Sequence, residues 1–392
     1  EIYTLSLHDA LPIFGPDAGI GKTLYQGLDY LEYYSQFPSH NTVCVDGISS
    51  YPVMKSNHSF KLRALYPAAG ERLPYQPISY SEVYFREPET FADQTRLNGI
   101  VNVGDSAGYY IDIFRSRKVE GGDKMHDYFY HNLGQQMTLT AADGSELGLQ
   151  PTQELAFAGA HLYAYSYIYN KKRAVTSKDV KAGFTIQMPD KDDITMNLWM
   201  KGEEGREIFS ALSPMTEGLS RIKNMPYSIK DQPTLTFVAH QKGEAWNRPF
   251  VAVYEPSTLK EPSCIASVDY PQVKSEQQGS HVGIRVALTN GNVDWILSSD
   301  ENAHHCKLEK LQARAGYALC RQSEKGEALQ AFLGNGTQLE ADGVSIRTDA
   351  PADVLLLKQD GKWMYTATAP CRVVVGKKKY TLSVSKELRL LK

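Results

Sequence analysis

Residues 15–23 read GPDAGIGKT, and this run decides between two fold classes. As a phosphate-binding loop it would follow a strand, open a helix and place the chain among α/β nucleotide-binding proteins. Such a loop keeps four residues between its first glycine and Gly-Lys-Thr, so that successive backbone N–H groups point into one phosphate-sized nest. Here Gly15 and Gly21 enclose five residues, and one of them, Pro16, has no N–H to donate. Nothing upstream reads as a strand. Downstream, LYQGLDYLEYYSQFP (24–38) is aromatic and interrupted by glycine rather than amphipathic. The phosphate-loop reading fails.

Further out on the N-terminal side, TLSLHDALPI (4–13) is the translation of a common short-read sequencing adapter. Residues 1–13 are therefore expected to be non-native, and the natural chain is expected to be cut upstream of Phe14. His8 and Asp9 carry no functional weight.

On the C-terminal side, strand signals dominate. GYYIDIFRSRKV (108–119) alternates, with Tyr110, Asp112 and Phe114 on one face and Ile111 and Ile113 on the other. NTVCVDG, EVYFRE, LYAYSYIYNKK, TLTFVAHQK and PFVAVYEP are similar β-branched or aromatic runs bounded by turn residues. Helical periodicity is confined to EEGREIFSALS (203–213) and PTQELAFAGA (151–160). Asn290-Gly291 and Asp360-Gly361 sit between apolar runs and predict tight type I′ hairpins, which need positive φ at both central residues. EPSTLKEPS (255–263) is a Pro/Ser-rich break. The expected fold is all-β: a large antiparallel β-sandwich over 14–254, then a smaller β domain over 255–392.

Composition narrows the function classes. A net charge of −3 leaves no electrostatic footprint for nucleic acid. No apolar run approaches the roughly 20 residues that span a bilayer. The 24 tyrosines suit half-buried sheets and, secondarily, sugar-binding clefts. Five scattered cysteines (Cys44, Cys264, Cys306, Cys320, Cys371) without a CxxC read as mostly buried thiols, with one pair in the last third left open. His304, His305 and Cys306 are adjacent, and neighbours on an extended segment point opposite ways, so the three are not expected to share a metal. His126 and His131 fall on opposite faces of one strand and read as core or sheet-edge histidines. His58 reads as a surface residue. Trp246, Asn247 and Arg248 combine a stacking ring with two polar groups, either as a sugar contact or as a hairpin tip.

One segment carries more. In FGPDAGIGKTLYQGLDYLEYYSQFPSHNTVCVDG (14–47), an Asp-x-Gly turn leads through a tyrosine-rich stretch to SHNTVCVDG, and GGDKMHDYFYHNLG (121–134) follows further on. This arrangement resembles the β-sandwich part of the heparinase II/III family of polysaccharide lyases, over roughly residues 14–255. The resemblance implies an α/α-toroid domain upstream and β-elimination at a uronic acid. It implies that Asp17 and His40 are two ligands of a zinc ion, the donor types zinc accepts at about 2.0–2.2 Å. The third ligand, from a His-x-His-x-Asp strand, is absent here and expected upstream of Phe14, so zinc binding by this chain is expected to be weak. Lys22 and Tyr25 are implied as substrate contacts. The family's catalytic groups lie in the missing part; the catalytic residues are unknown in this chain, and it is expected to be inactive alone. A uronate-containing polysaccharide is the implied partner, in the periplasm or outside the cell. Loss of the toroid is expected to expose a tyrosine-rich surface around 15–45 and to favour association, as in a homodimer. Two other readings stand beside it: a non-catalytic glycan-binding or structural sandwich, and a mutarotase-like sugar isomerase.

Overall fold

A computed structural model describes residues 21–22, 25, 27–48, 60–68, 76–104, 106–155, 163–188, 191–217 and 232–392. Asp17, His58 and the second half of PTQELAFAGA lie outside the described residues. The fold is all-β and antiparallel, as the alternating runs require. Among the described residues the helical pieces are one π-helical turn at Tyr30–Tyr34, a 3-10 turn at Phe37–Ser39 and one α-helical turn at Tyr163–Ser166. No helix among them is long and apolar enough to cross a membrane.

Contacts divide the chain into two units. The first takes in the described residues up to Lys61, then Val83–Asn98 and Val103–Ser263; the second takes in Leu62–Glu82, Gly99–Asn102 and Cys264–Lys392.

The first unit is a sandwich. One sheet runs in the order Val43–Val45, Met125–Asn132, Thr234–Lys242, Arg206–Ser213, Tyr169–Thr176, Gln150–Pro151. The other contains Gly108–Lys118, Ala245–Ser257, Ile194–Met200, Val180–Ile186 and Gln136–Ala141 in that order. Tyr128, Tyr130, Ile208 and Phe237 from the first sheet pack with Phe114, Phe184, Leu198 and Phe250 from the second in one buried cluster. A fully buried Phe of this kind contributes about 1.5–3 kcal/mol by leaving water. EEGREIFSALS is not a helix: Arg206–Ser213 is a central strand of the first sheet. Ile208 and Phe209 are both buried because both faces of this sheet are covered, and a doubly covered strand loses the alternation that identifies strands in a sequence.

The second unit is built on one sheet of long strands, ordered Ile265–Asp269, His281–Leu288, Val293–Ser299, Leu311–Gln322, Ala328–Ala341, Val344–Gln359, Lys362–Ala367, Ser385–Leu390. Its core gathers Leu297, Leu308, Leu333, Ile346, Leu356 and Val373. The buried Asp294 takes the guanidinium fork of Arg321 through two 2.7 Å bonds. Asp360-Gly361 makes the expected two-residue turn, with φ of 48° and 74° and Gln359 facing Lys362. Asn290-Gly291 does not. Only Gly291 has positive φ (83°), and the Leu288 N–H donates to Asn292 O, which makes a three-residue loop with a bulge. All five cysteines are buried and free, so no pair forms in the last third.

Candidate functional site on the signature strand

The tyrosine-rich stretch leads into SHNTVCVDG, whose Val43–Val45 is the edge strand of the six-stranded sheet. Asp29 accepts the Tyr30 N–H at 3.0 Å and starts the π-turn, and Ser35 N–H closes it on Tyr30 O at 2.9 Å. The buried Tyr33 stacks on Tyr167 with centroids 5.5 Å apart, and Tyr167 donates to Glu32 at 2.7 Å. Gly21, from the opening run, lies against this stretch. A Cβ there would sit 2.4 Å from Tyr34 Cε2, so the glycine serves close packing against a ring.

His40 ends the 3-10 turn. Its N–H donates to Phe37 O at 3.0 Å, its carbonyl accepts from Thr42 N–H at 3.0 Å, and the residue is half-buried. The residues after it act as a clamp. Asn41 Oδ1 accepts the His131 backbone N–H at 2.6 Å, and Asn41 O accepts from Arg96 Nη1 at 2.7 Å. Arg96 closes its fork on the buried Asp112 at 2.9 and 2.7 Å, and Tyr128 donates to the same carboxylate at 2.7 Å. Val43, Cys44 and Val45 then pair with Tyr128, Asp127 and His126. Asp46 turns the chain with φ of 54°. One of its oxygens accepts from Lys124 and Met125 N–H at 3.1 and 3.2 Å, and the other meets Lys118 Nζ at 2.7 Å.

A polar row crosses four strands of this sheet. Cys44 faces Asp127, Asp127 faces His240, and His240 faces Glu207. Asp127 is fully buried; His240 Nδ1 donates to one of its oxygens, and Tyr165 donates to the other at 2.5 Å. Glu207 is held by Arg173 Nε at 2.8 Å. Burial is the largest influence on the His240 imidazole and favours its neutral form. The hydrogen bond to Asp127 and the charges of Asp127 and Glu207 outweigh it and raise the pKa. Burial likewise pushes the Cys44 thiol up, helped by the charge of Asp127. The row therefore offers one imidazole able to keep a proton between two carboxylates, beside an inert thiol.

Among the residues singled out from the sequence, Lys22 and Tyr25 are exposed, and Tyr25 meets Tyr30 edge-on at 5.0 Å. His40 is the described member of the pair implied for zinc. His126 and His131 are both fully buried. His126 Nε2 meets Asp123 at 2.9 Å, and His131 bridges Thr236 at 3.0 Å and Pro38 O at 2.8 Å. Trp246 is not a stacking platform, because its ring is buried under the Arg117 guanidinium at 4.1 Å, and its backbone N–H donates to the Glu244 carboxylate at 2.6 Å. Asp127, Tyr165, Glu207 and His240 were not read from the sequence as site residues. Asp127 sits inside the quoted HDYFYHN run, whereas no local pattern marks His240.

No family model matches the chain. An endo-acting ulvan lyase of Formosa agariphila is 25% identical over 365 residues, an alignment covering 88% of this chain and 43% of that protein. The chain thus spans less than half the length of that curated relative, and over most of its own length it is similar to a polysaccharide lyase.

Proposed function

We propose that the chain is the β-rich portion of a polysaccharide lyase that cleaves a uronic-acid-containing polymer by β-elimination. The observation that carries this reading is the similarity to an endo-acting ulvan lyase along 88% of the chain. The PDAGIG and SHNTVCVDG runs support the finer reading, a heparinase II/III-like enzyme. β-Elimination needs the uronate carboxylate neutralised, a base for the C5 proton and an acid for the departing O4. In this reading those groups are not assigned to residues of this chain, and the sandwich supplies one wall of the cleft. Lys22 and Tyr25 belong to that wall: both are exposed, a cation suits a uronate or sulfate group, and a ring suits a sugar face.

The zinc assignment is part of the same proposal. His40 offers an imidazole on a hydrogen-bonded turn at the edge of the sheet, and an Asp carboxylate with an imidazole is a donor set that zinc accepts. Asp17 and His40 would hold the ion, which would brace the turn against the strand. A polymeric substrate that cannot cross a membrane supports a secreted or periplasmic location for the enzyme.

The test uses the complete gene product on ulvan, alginate and glycosaminoglycans, following the ultraviolet absorbance of the unsaturated uronate. A rise on ulvan or another uronan is the expected result. No rise on any of them refutes the lyase reading.

A further inference from the structure

In the second unit, three potential ligands from two neighbouring turns converge. His281 opens the strand His281–Leu288 and pairs with Ser299, the last residue of Val293–Ser299. Asp300 follows directly, and His304 ends the next turn, its N–H donating to Glu301 O at 3.1 Å. One ligating atom from each of the three lies within 4.8 Å of the others. His281 Nε2 stands 3.2 Å from His304 Nδ1. Two nitrogens bound tetrahedrally at about 2.0–2.1 Å from one zinc ion stand about 3.3 Å apart, so the imidazoles already have a shared-metal spacing.

The surroundings hold this geometry. Ser280 N–H donates to Asp300 Oδ1 at 3.0 Å and Asp300 N–H donates to Ser280 O at 3.1 Å, which orients the carboxylate. The turn is tied by Ser299 Oγ to Glu301 O at 2.9 Å, by Arg314 Nη1 to Ala303 O at 2.7 Å and by Asn302 Nδ2 to Asn335 Oδ1 at 3.1 Å. Gly279 completes the cradle: a Cβ there would lie 2.8 Å from Asp300 Oδ1 and 3.0 Å from His304 Nδ1. All three ligands are half-buried, which leaves access for an ion and a water. His304 thus joins residues distant in sequence, while its neighbour Cys306 turns into the core.

We propose that His281, Asp300 and His304 form a divalent transition-metal site, filled by zinc, that clips the turn at 279–281 to the turn at 300–304. Two imidazoles and one carboxylate favour zinc, nickel or copper over calcium and magnesium, which take oxygen donors. The site lies in a different unit from His40 and is independent of the lyase reading.

The test is zinc titration calorimetry with elemental analysis on tag-free full chain. The arms are wild type, His40→Ala, His281→Gln, His304→Gln and Gly279→Ala. The His40→Ala chain is expected to retain one zinc equivalent and to melt higher with zinc than without. In that background, His281→Gln and His304→Gln should each weaken the equivalent by at least the roughly 10–100-fold that loss of a supporting contact costs. Gly279→Ala keeps every ligand and should weaken zinc binding by displacing two of them, while circular dichroism without zinc stays unchanged. Absence of zinc uptake by the His40→Ala chain overturns the proposal. So does unaltered zinc affinity in both histidine variants, or preferential uptake of calcium at this site.

Discussion

Replacing Asp127 with asparagine removes the charge at the centre of the polar row while keeping its shape. The buried carboxylate accepts from both His240 and Tyr165, and an amide offers one oxygen where there were two, so one donor loses its acceptor. A hydrogen bond to a charged group contributes about 1.5–3 kcal/mol, and breaking a buried charge pair costs about 3–5 kcal/mol. Glu207 still faces His240 and offsets part of this, so about 2–4 kcal/mol is expected at pH 6. The cost depends on pH. The folded pKa of His240 is raised, so its charged-pair contribution is complete below the unfolded value of about 6.5 and fades as pH rises through the folded value. As pH is raised toward 9 the cost should fall, because a neutral imidazole no longer contributes an ion pair to the buried carboxylate. Hydrogen exchange of the amides in Met125–Asn132 and Thr234–Lys242 reads the opening free energy directly, with about 1.4 kcal/mol for each tenfold change. An equal cost at pH 6 and pH 9, or wild-type protection at both, would refute the reasoning.

Two further outcomes follow from the same structure. At Asp46, where φ is 54° and the carboxylate accepts two backbone N–H groups, alanine should cost about 1–3 kcal/mol and asparagine clearly less, since Asn tolerates this backbone region and keeps an acceptor; thermal unfolding of the two variants side by side checks the order. The five buried free thiols should resist an aromatic disulfide reagent in the native chain and react together in denaturant, which a spectrophotometric thiol assay reads; fast native labelling would contradict their burial.

The class of the fold was legible because strands such as Gly108–Lys118 and Ile194–Met200 are dense in β-branched and aromatic residues, and because the would-be phosphate loop has the wrong spacing. Arg206–Ser213 was misread because a strand covered on both faces shows no period of two. Asp360-Gly361 was legible as a turn. Asp342-Gly343, an equally tight hairpin with φ of 22° and 77°, passed unremarked although Ala341 and Val344 flank it. The clamp around Asn41 and Asp46 was visible only as a signature; what those side chains hold became plain from their partners, Arg96, Lys118 and the backbone of His131. The polar row was not legible at all. Asp127 and His240 meet through strand pairing across a long stretch of chain, and neither residue has a local pattern that announces a partner. His304 is similar: its sequence neighbours drew the eye, whereas its spatial neighbours are His281 and Asp300.

The division of the chain has a consequence for its synthesis. Residues 62–82 and 99–102 belong with the unit whose main run begins at Cys264. At about 5–20 residues per second, the roughly 160 residues in between keep the ribosome occupied for on the order of ten seconds. During that time these early strands can pair with one another and with Gly108–Lys118, but Tyr66 and Tyr80 wait for Phe332 and Tyr317, the rings they pack on. Aromatic side chains left uncovered for seconds invite association with other nascent chains. A truncation at Ser263 would make that exposure permanent, so a chaperone that covers apolar side chains has its natural point of action at 62–82, well before the last strand emerges.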